Sequence, residues 1–137
     1  MKMTGRQLLA VIVSVVVVAA IATGIAILGS PTEERSRRLD RVRVTELQGI
    51  RKAVEFFYSE NKRLPASLDE LSKQPGVRVS TDPVTAEEYR YRTVSADEFE
   101  LCATFERASE PQPGSGVDIW QHPAGAHCFT LKVEKRS

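Results

Sequence analysis

The sequence predicts an α+β protein with an N-terminal transmembrane helix, followed by an amphipathic helix packed on a small antiparallel sheet. Three patterns predict this fold: an uncharged apolar run, apolar residues recurring every three or four positions after it, and period-two alternation in the C-terminal half. They divide the chain into a short tail at residues 1–7, a membrane helix at 8–28, a linker at 29–36 and one soluble domain at 37–137.

The membrane anchor is predicted from an apolar run that extends from Leu8 through Val16 to Leu28 without a charged residue. A bilayer core takes roughly 20 apolar residues of helix, because lipid offers the backbone no hydrogen-bond partner. A positive N-terminal flank and a small-x-small pattern at residues 20–22 also fit a cleaved signal peptide. The run continues past those residues, whereas signal h-regions usually stop at roughly 7–15 residues, so we expect an uncleaved anchor that contacts membrane lipids.

A second helix is expected after the anchor. Gly29-Ser30-Pro31 closes the anchor, and Thr32 can cap a new helix that runs to about Glu60, with Asn61 as a plausible stop. One apolar stripe marks the face that this helix buries. The stripe consists of Val44, Leu47, Ile50, Val54 and Phe57, with Ala53 between them.

Short elements and a sheet are predicted for the rest of the chain. Ser67 with Glu70 three residues later forms a capping box, which predicts a short helix from Leu68, and Asp82-Pro83 predicts a turn. Period-two alternation then predicts antiparallel strands with one buried face. The buried sets are Tyr89, Tyr91 and Thr93, then Phe99, Leu101, Ala103 and Phe105, and finally Phe129, Leu131 and Val133. A Pro-, Gly- and Ser-rich loop from Ser109 to Ala126 separates the last two strands.

Composition and motifs exclude several function classes. The 19 Lys and Arg against 18 Asp and Glu give a net charge of +1. The chain therefore lacks the excess of positive charge that is typical of nucleic-acid-binding proteins. The sequence contains no nucleophile elbow, phosphate loop or HExxH motif. We therefore expect a chain that is not an enzyme, needs no cofactor and binds no nucleic acid.

The order of these pieces resembles type IV pilins and type II secretion pseudopilins. The segment ELQGIRKAVEFFYSENKRLPASLDEL is similar to the pseudopilin helix and the Leu-Pro segment after it, and TDPVTAEEYRYR is similar to the pseudopilin Asp-Pro turn and Tyr-x-Tyr strand. This resemblance implies a pilin-like domain at residues 37–137, exposed to the periplasm from the bacterial inner membrane. It also implies a structural or partner-binding role in an envelope assembly.

The sequence departs from that family at the N-terminus. Gly5 is followed by Arg6 where pilin-like precursors carry a cleavage-site glycine followed by Phe, and no acidic residue lies in the apolar run. Residues 29–31 also interrupt the join between the two helices. The resemblance therefore implies the fold more than filament assembly.

Cys102 and Cys128 are predicted to form a disulfide. Each lies at the non-core parity of its strand, so neighbouring strands can bring both sulfurs to one face. Unpaired thiols or a redox pair are the alternatives, although the C-x-x-C spacing of redox pairs is absent. A zinc site with His122 and His127 is a further alternative; its spacing fits no common pattern, and we expect both histidines on a surface loop.

Three other sets of residues have two interpretations each. Trp120 and His122 form a possible ligand-binding loop, although a lone Trp more commonly packs as a lid on the sheet. Asp82 is a calcium ligand by family analogy or a turn initiator. The cluster from Arg35 to Arg43 is a solvated helix face or a contact for anionic lipid headgroups. The headgroup contact would use Arg35, Arg38 and Arg41.

The side of the membrane is predicted by two signals that conflict. The arginines after the anchor favour a cytoplasmic domain, whereas a paired set of cysteines favours an oxidising compartment. We favour export, because long domains translocate largely regardless of charge. The function expected is that of a non-enzymatic, single-pass membrane protein with a protein partner or a second copy. The alternatives are a membrane-tethered thiol- or metal-dependent enzyme and a small ligand sensor.

Overall fold

The structure is a computed structural model that describes residues 4–111 and 118–134. The chain divides into two compact units, residues 1–35 and 36–137, so the division falls next to the predicted domain start at residue 37. The parts of the predicted tail, loop and C-terminus that lie outside the described residues are 1–3, 112–117 and 135–137.

Helix α1 covers Gly5–Leu28 and contains the predicted membrane anchor. It starts three residues before the apolar run because Thr4 caps it, with the Thr4 N–H donating to Gln7 Oε1 at 3.1 Å. None of its residues is buried within the protein. Among the described residues, Gly5–Asn61 contains one helix that is long and apolar enough to cross a membrane. The uncharged apolar run of that stretch, Leu8 to Leu28, lies in α1.

The two hydroxyls within the apolar run are satisfied inside the helix. Ser14 Oγ donates to the Ala10 carbonyl at 2.9 Å, and Thr23 Oγ1 donates to the Ala19 carbonyl at 2.8 Å. Such back-bonding lets polar side chains stay in hydrocarbon without a water partner. Gly29 then ends α1 with a φ of 78°, a left-handed conformation that glycine adopts at little cost.

Helix α2 covers Pro31–Asn61, so it begins one residue before the predicted cap and takes in residues 31–36 of the predicted linker. Proline is well suited to the first helical position, and Glu33 and Glu34 in the first turn complement the positive end of the helix. The end at Asn61 is the predicted stop. The stripe is buried as predicted at Leu47, Ile50, Val54 and Phe57, with Val44 packed at its margin.

Helix α3 covers Leu68–Ser72 and begins at the predicted cap, where Ser67 Oγ accepts a hydrogen bond from the Glu70 N–H. Glu70 in turn accepts from the Ala66 N–H at 2.7 Å. The extended residues from Val77 to Val79 join no strand of the described sheet.

The sheet contains three described antiparallel strands in the order β1-β2-β3, with β1 at Arg90–Thr93, β2 at Glu98–Phe105 and β3 at Gly125–Lys132. In the register, Leu101 lies opposite both Tyr91 and Phe129. The predicted inward parity of β2 and β3 is confirmed by the burial of their odd-numbered apolar residues. Thr93 is an exception and is exposed, because β1 ends there and the chain turns back at residues 94–97.

The core is a single cluster that joins the α2 stripe to the inner face of the sheet. Leu64, Leu68 and Leu71 close it on one side, which gives α3 its role in the fold. The α+β arrangement of an amphipathic helix on an antiparallel sheet is therefore confirmed, with a candidate membrane span before it.

Candidate functional site

The predicted disulfide joins Cys102 and Cys128 across the β2–β3 pair. The two residues are direct partners in the register, their Cα atoms lie 4.0 Å apart and the S–S distance is 2.03 Å. Both side chains lie on the outer face of the sheet, opposite the core, where Cys102 is half-buried and Cys128 is exposed. The shared parity in the sequence was sufficient to predict this bond.

The structure does not assemble the alternative zinc site. The two sulfurs are bonded to each other and are not thiolates, whereas His127 lies on the core face, edge-to-face with Phe129 at 4.8 Å. Glu100 has a carboxylate oxygen within 4.8 Å of both sulfurs, but Arg92 donates to that carboxylate at 2.7 Å. In this oxidised form, the outer face therefore presents a disulfide beside an ion pair.

Trp120 and His122 are buried, so the expectation that His122 lies on the surface is wrong. The Trp120 ring lies 5.0 Å from the Phe129 ring, which is the packing predicted for a lid. The His122 ring stacks on Phe105 with a centroid distance of 3.5 Å. Ser109 pins this segment, because its N–H donates to the His122 carbonyl at 2.9 Å while its Oγ accepts from the His122 N–H. A ligand-binding role for these two residues stays a prediction.

A buried ion cluster, formed by Asp40, Arg43 and Asp82, is the feature that the sequence did not reveal. Arg43 Nη1 donates to Asp40 Oδ1 at 2.8 Å, and Arg43 Nε donates to Asp82 Oδ2 at 2.7 Å. Arg43 is only 4% exposed and Asp40 only 5%. The assignment of Arg43 to a solvated or lipid-facing arginine cluster is therefore wrong; only its i,i+3 spacing from Asp40 hinted at pairing.

The ion cluster ties three distant parts of the chain together. Asp40 also accepts hydrogen bonds from the N–H groups of Glu106 and Arg107 at 3.0 and 2.9 Å, just after β2. Asp82 Oδ1 accepts from the Val84 N–H at 2.8 Å and the Thr85 N–H at 3.0 Å, so its predicted role as a turn initiator is confirmed. With Arg43 and two N–H groups on its oxygens, Asp82 does not present a calcium site.

Electrostatics in the ion cluster favour the charged forms of Asp82 and Arg43. Burial alone would raise the pKa of Asp82, but hydrogen bonds from Arg43 and from the turn N–H groups outweigh it and hold this pKa at about 2. The hydrogen bond to Asp82 also raises the pKa of Arg43. Next to the cluster, burial and the hydrogen bond that Tyr89 donates to Glu46 raise the pKa of the Tyr89 phenol. These shifts favour the charged forms of Asp82 and Arg43 and the neutral form of the Tyr89 phenol.

Arg35, Arg38 and Arg41 are exposed, as a headgroup contact requires. Their neighbour Arg37 forms an ion pair with Glu110 at 2.9 Å and is therefore engaged within the domain. In α1, Leu8, Val16 and Leu28 are each at least half exposed, which is the state expected of side chains that meet lipid. Contact of these residues with lipid stays a prediction.

Two clefts open on the sheet side of the domain. One, of about 350 Å³, lies beside the disulfide and is bordered by the ion cluster and by Arg90. The other, of about 650 Å³, lies along the C-terminal half of β3 and is bordered by Arg51 and Ile119.

Comparison of the chain with protein-family models, with curated protein sequences and with solved structures finds no match. The resemblance to pilins and pseudopilins therefore rests on the quoted segments and on the order of helix, helix and sheet.

Proposed function

We propose that this chain is a single-pass protein of the bacterial inner membrane. Its pilin- or pseudopilin-like domain acts in the periplasm, without catalysis, as a structural or partner-binding component of an envelope assembly. The observation that carries the proposal is the presence of two units: a helix with no buried residue and an uncharged run from Leu8 to Leu28, and a separate compact domain that contains a disulfide.

Placement of the domain in the periplasm is supported by the cysteine bond. Disulfides persist in oxidising compartments and are rare in the cytosol. The arginines that follow the anchor oppose export by the positive-inside count, but that count governs short loops, and more than a hundred residues follow the anchor here. The disulfide is therefore the stronger of the two signals.

The absence of catalysis is supported by how the described part of the domain uses its reactive groups. Asp40 and Arg43, the two most buried members of the ion cluster, bind each other, and Asp40 also accepts hydrogen bonds from backbone N–H groups. Both cysteines form one disulfide. No buried side-chain nitrogen or oxygen in residues 4–111 and 118–134 lacks a hydrogen-bond partner. A buried polar group without a partner can mark a catalytic role, so this pairing of the described groups fits a non-catalytic domain.

The fold supports a pilin-like role, whereas the N-terminus argues against a role as a processed filament subunit. The amphipathic helix on a three-stranded sheet matches the order of elements that the resemblance implies. Gly5-Arg6 and the uncharged run lack the residues on which processing and filament growth depend in that family. We therefore assign the chain a role beside or within an assembly and not that of a processed filament subunit.

The test uses the full chain, tagged at its C-terminus and produced in bacterial cells. We expect it to stay with membranes in alkaline carbonate, to be digested by protease added outside spheroplasts, and to resist alkylation of both cysteines unless reductant is added. Amine-reactive cross-linking in membranes should shift it above its monomer mass. A strain that cannot form periplasmic disulfides serves as the control, because the same thiols should then be alkylated.

Each part of the proposal has a result that overturns it. Release by carbonate would remove the anchor, and an N-terminus at Thr23 would show cleavage. Protection from external protease, with two free thiols, would place the domain in the cytoplasm. A chain that remains monomeric under cross-linking would overturn the assembly role.

A further inference from the structure

The outer edge of β3 presents a row of backbone groups whose direction follows from two observations. The Cα atoms of Cys102 and Cys128 lie 4.0 Å apart, which identifies a non-hydrogen-bonded pair of the antiparallel ladder. The Val133 N–H donates to the Asp97 carbonyl at 2.9 Å, so odd-numbered residues of this strand bond to β2. The N–H and C=O groups of the even-numbered residues therefore point away from β2. These residues are Ala126, Cys128, Thr130 and Lys132.

No described backbone or side-chain group occupies this edge. The backbone hydrogen bonds of the described chain outside the helix and strand ladders include none to the even-numbered residues of β3. An unpaired edge of this kind is a template for another strand, and proteins that keep it free add charges, proline or bulges, or make the strand short.

The two edges of the sheet differ in this respect. The β1 edge is four residues long, and Arg90 and Arg92 alternate along it. The β3 edge is eight residues long and contains no proline, and its one Lys or Arg is Lys132 at the C-terminal end. Charges therefore protect β1 along its length, whereas β3 carries a lysine only at its end and leaves Gly125 to Leu131 open over a length that can hold several hydrogen bonds.

We propose that the β3 edge binds the β3 edge of a second copy of this chain, antiparallel, so that two domains share one continuous sheet. This inference rests on the proposed membrane anchoring and names the partner within that proposal. Two identical edges meeting antiparallel are self-complementary, since each presents alternating donors and acceptors to the other.

Side chains along the edge are compatible with self-pairing. With Phe129 at the twofold axis, Cys128 lies opposite Thr130 of the second copy, and Ala126 lies opposite Lys132 of the second copy. No like charges then face each other, whereas opposed lysines would be destabilising. The cleft of about 650 Å³ beside Thr130 and Lys132 leaves space next to the edge, and Ile119, 51% exposed, supplies apolar surface there.

The decisive variant is Thr130→Pro in the full chain within membranes. Proline at this position removes an N–H that faces the partner and leaves the β2–β3 ladder intact, because the Thr130 N–H does not bond to β2. Thr93→Pro is the matched control: Thr93 is also an exposed threonine, and its N–H points out of the opposite edge, since Val94 at the next position bonds to Glu98. We expect Thr130→Pro to lower the yield of cross-linked homodimer about tenfold or more and Thr93→Pro to leave it unchanged.

A second pair of variants keeps the test valid if either proline variant fails to fold. Thr130→Lys puts a charge on the open edge strand, and Thr104→Lys puts the same charge on the same face of the central strand β2. Only Thr130→Lys should reduce the homodimer, because two edge lysines repel across the axis. An intact disulfide and an unchanged melting temperature show that a variant has folded.

The outcomes separate this inference from the proposed function. Homodimer that is equally abundant in Thr130→Pro and wild type overturns edge pairing, even though the chain is anchored and assembled. A photoreactive residue at position 132 should link to residues 124–128 of the second copy; a link to a different polypeptide also overturns the inference. Release of the wild-type chain from membranes overturns the anchoring on which both depend.

Discussion

The two compact units of this chain complete their structures in opposite ways. Within residues 36–137, the described part satisfies its buried side chains from within: the stripe of α2 packs on the sheet, the buried charges bind one another, and the cysteines form a bond. Helix α1 satisfies only its backbone and two hydroxyls, and leaves its apolar side chains exposed all round. The apolar side chains of α1 are therefore available to an external apolar medium, whereas substitutions in the buried core of the other unit should act through its folding stability.

Phe57 and its neighbour Phe56 give the sharpest test of internal packing. Phe57 is 2% exposed in the core, with the Arg63 guanidinium 5.1 Å above its ring, whereas Phe56 is 53% exposed. Phe57→Ala should lower the free energy of unfolding by about 3–5 kcal/mol, because it removes buried surface and leaves a cavity. Phe56→Ala should change it by about 0.5 kcal/mol or less. Urea titration in detergent measures both, and equal losses would show that the stripe is assigned to the wrong face.

Val16 and Val42 test whether α1 inserts into a membrane. An arginine at the centre of a membrane helix costs roughly 2.5–3.5 kcal/mol on the insertion scale, so Val16→Arg should shift the chain out of the carbonate-resistant fraction. Val42, which is exposed on α2, is the control, and Val42→Arg should remain anchored. Neither change should alter the urea midpoint of the domain. Full membrane retention of Val16→Arg would contradict the anchor.

The cysteine pair tests how much the disulfide contributes to the folding stability of the second unit. Replacing Cys102 and Cys128 by serine should lower the free energy of unfolding by on the order of 3 kcal/mol, since the bond closes a loop with a sequence separation of 26. Reduction of the wild type should match that loss and shift the fluorescence of Trp120, which packs on Phe129 next to Cys128. The control is the double variant, on which reductant should have no effect. A wild type insensitive to reductant would indicate that the sheet alone holds β2 and β3 together.

The fold followed from the sequence wherever a local pattern repeats. The heptad-like stripe, the Ser67–Glu70 cap and strand parity each depend on neighbours a few residues apart, and all three occur in the structure. Parity even placed Cys102 and Cys128 on one face, because a period of two fixes the side of every residue once one is known.

The ion cluster and the burial of His122 could not be predicted in the same way. Arg43 reaches Asp82 across 39 positions, and Asp40 reaches the N–H groups after β2 across more than sixty. Such contacts arise only after the helix, the turn and the sheet have docked, so the sequence displays them as ordinary surface charges. His122 is likewise buried because Ser109 pins a returning segment, a contact between residues that no period links.

Asp82 offers the smallest and most specific test, because it asks whether the internal charges stabilise the fold. Its folded pKa of about 2 lies below the ordinary value of about 3.9, so the unfolded chain binds protons more readily as the pH falls. The contribution of Asp82 is therefore complete above about pH 4 and lost as the pH drops towards 2, with a size of at most about 2 kcal/mol after solvent screening. Asp82→Asn should be less stable at neutral pH and should lose stability less steeply between pH 4 and 2.

Glu70, whose pKa Arg63 and the Ala66 N–H also lower to about 2, titrates in wild type and variant alike, so the difference between the two curves isolates Asp82. Glu87→Gln, an exposed change in the same turn, is the control. Parallel curves for wild type and Asp82→Asn would mean that the pair with Arg43 holds the turn in place without contributing net stability, as buried ion pairs can when desolvation cancels attraction.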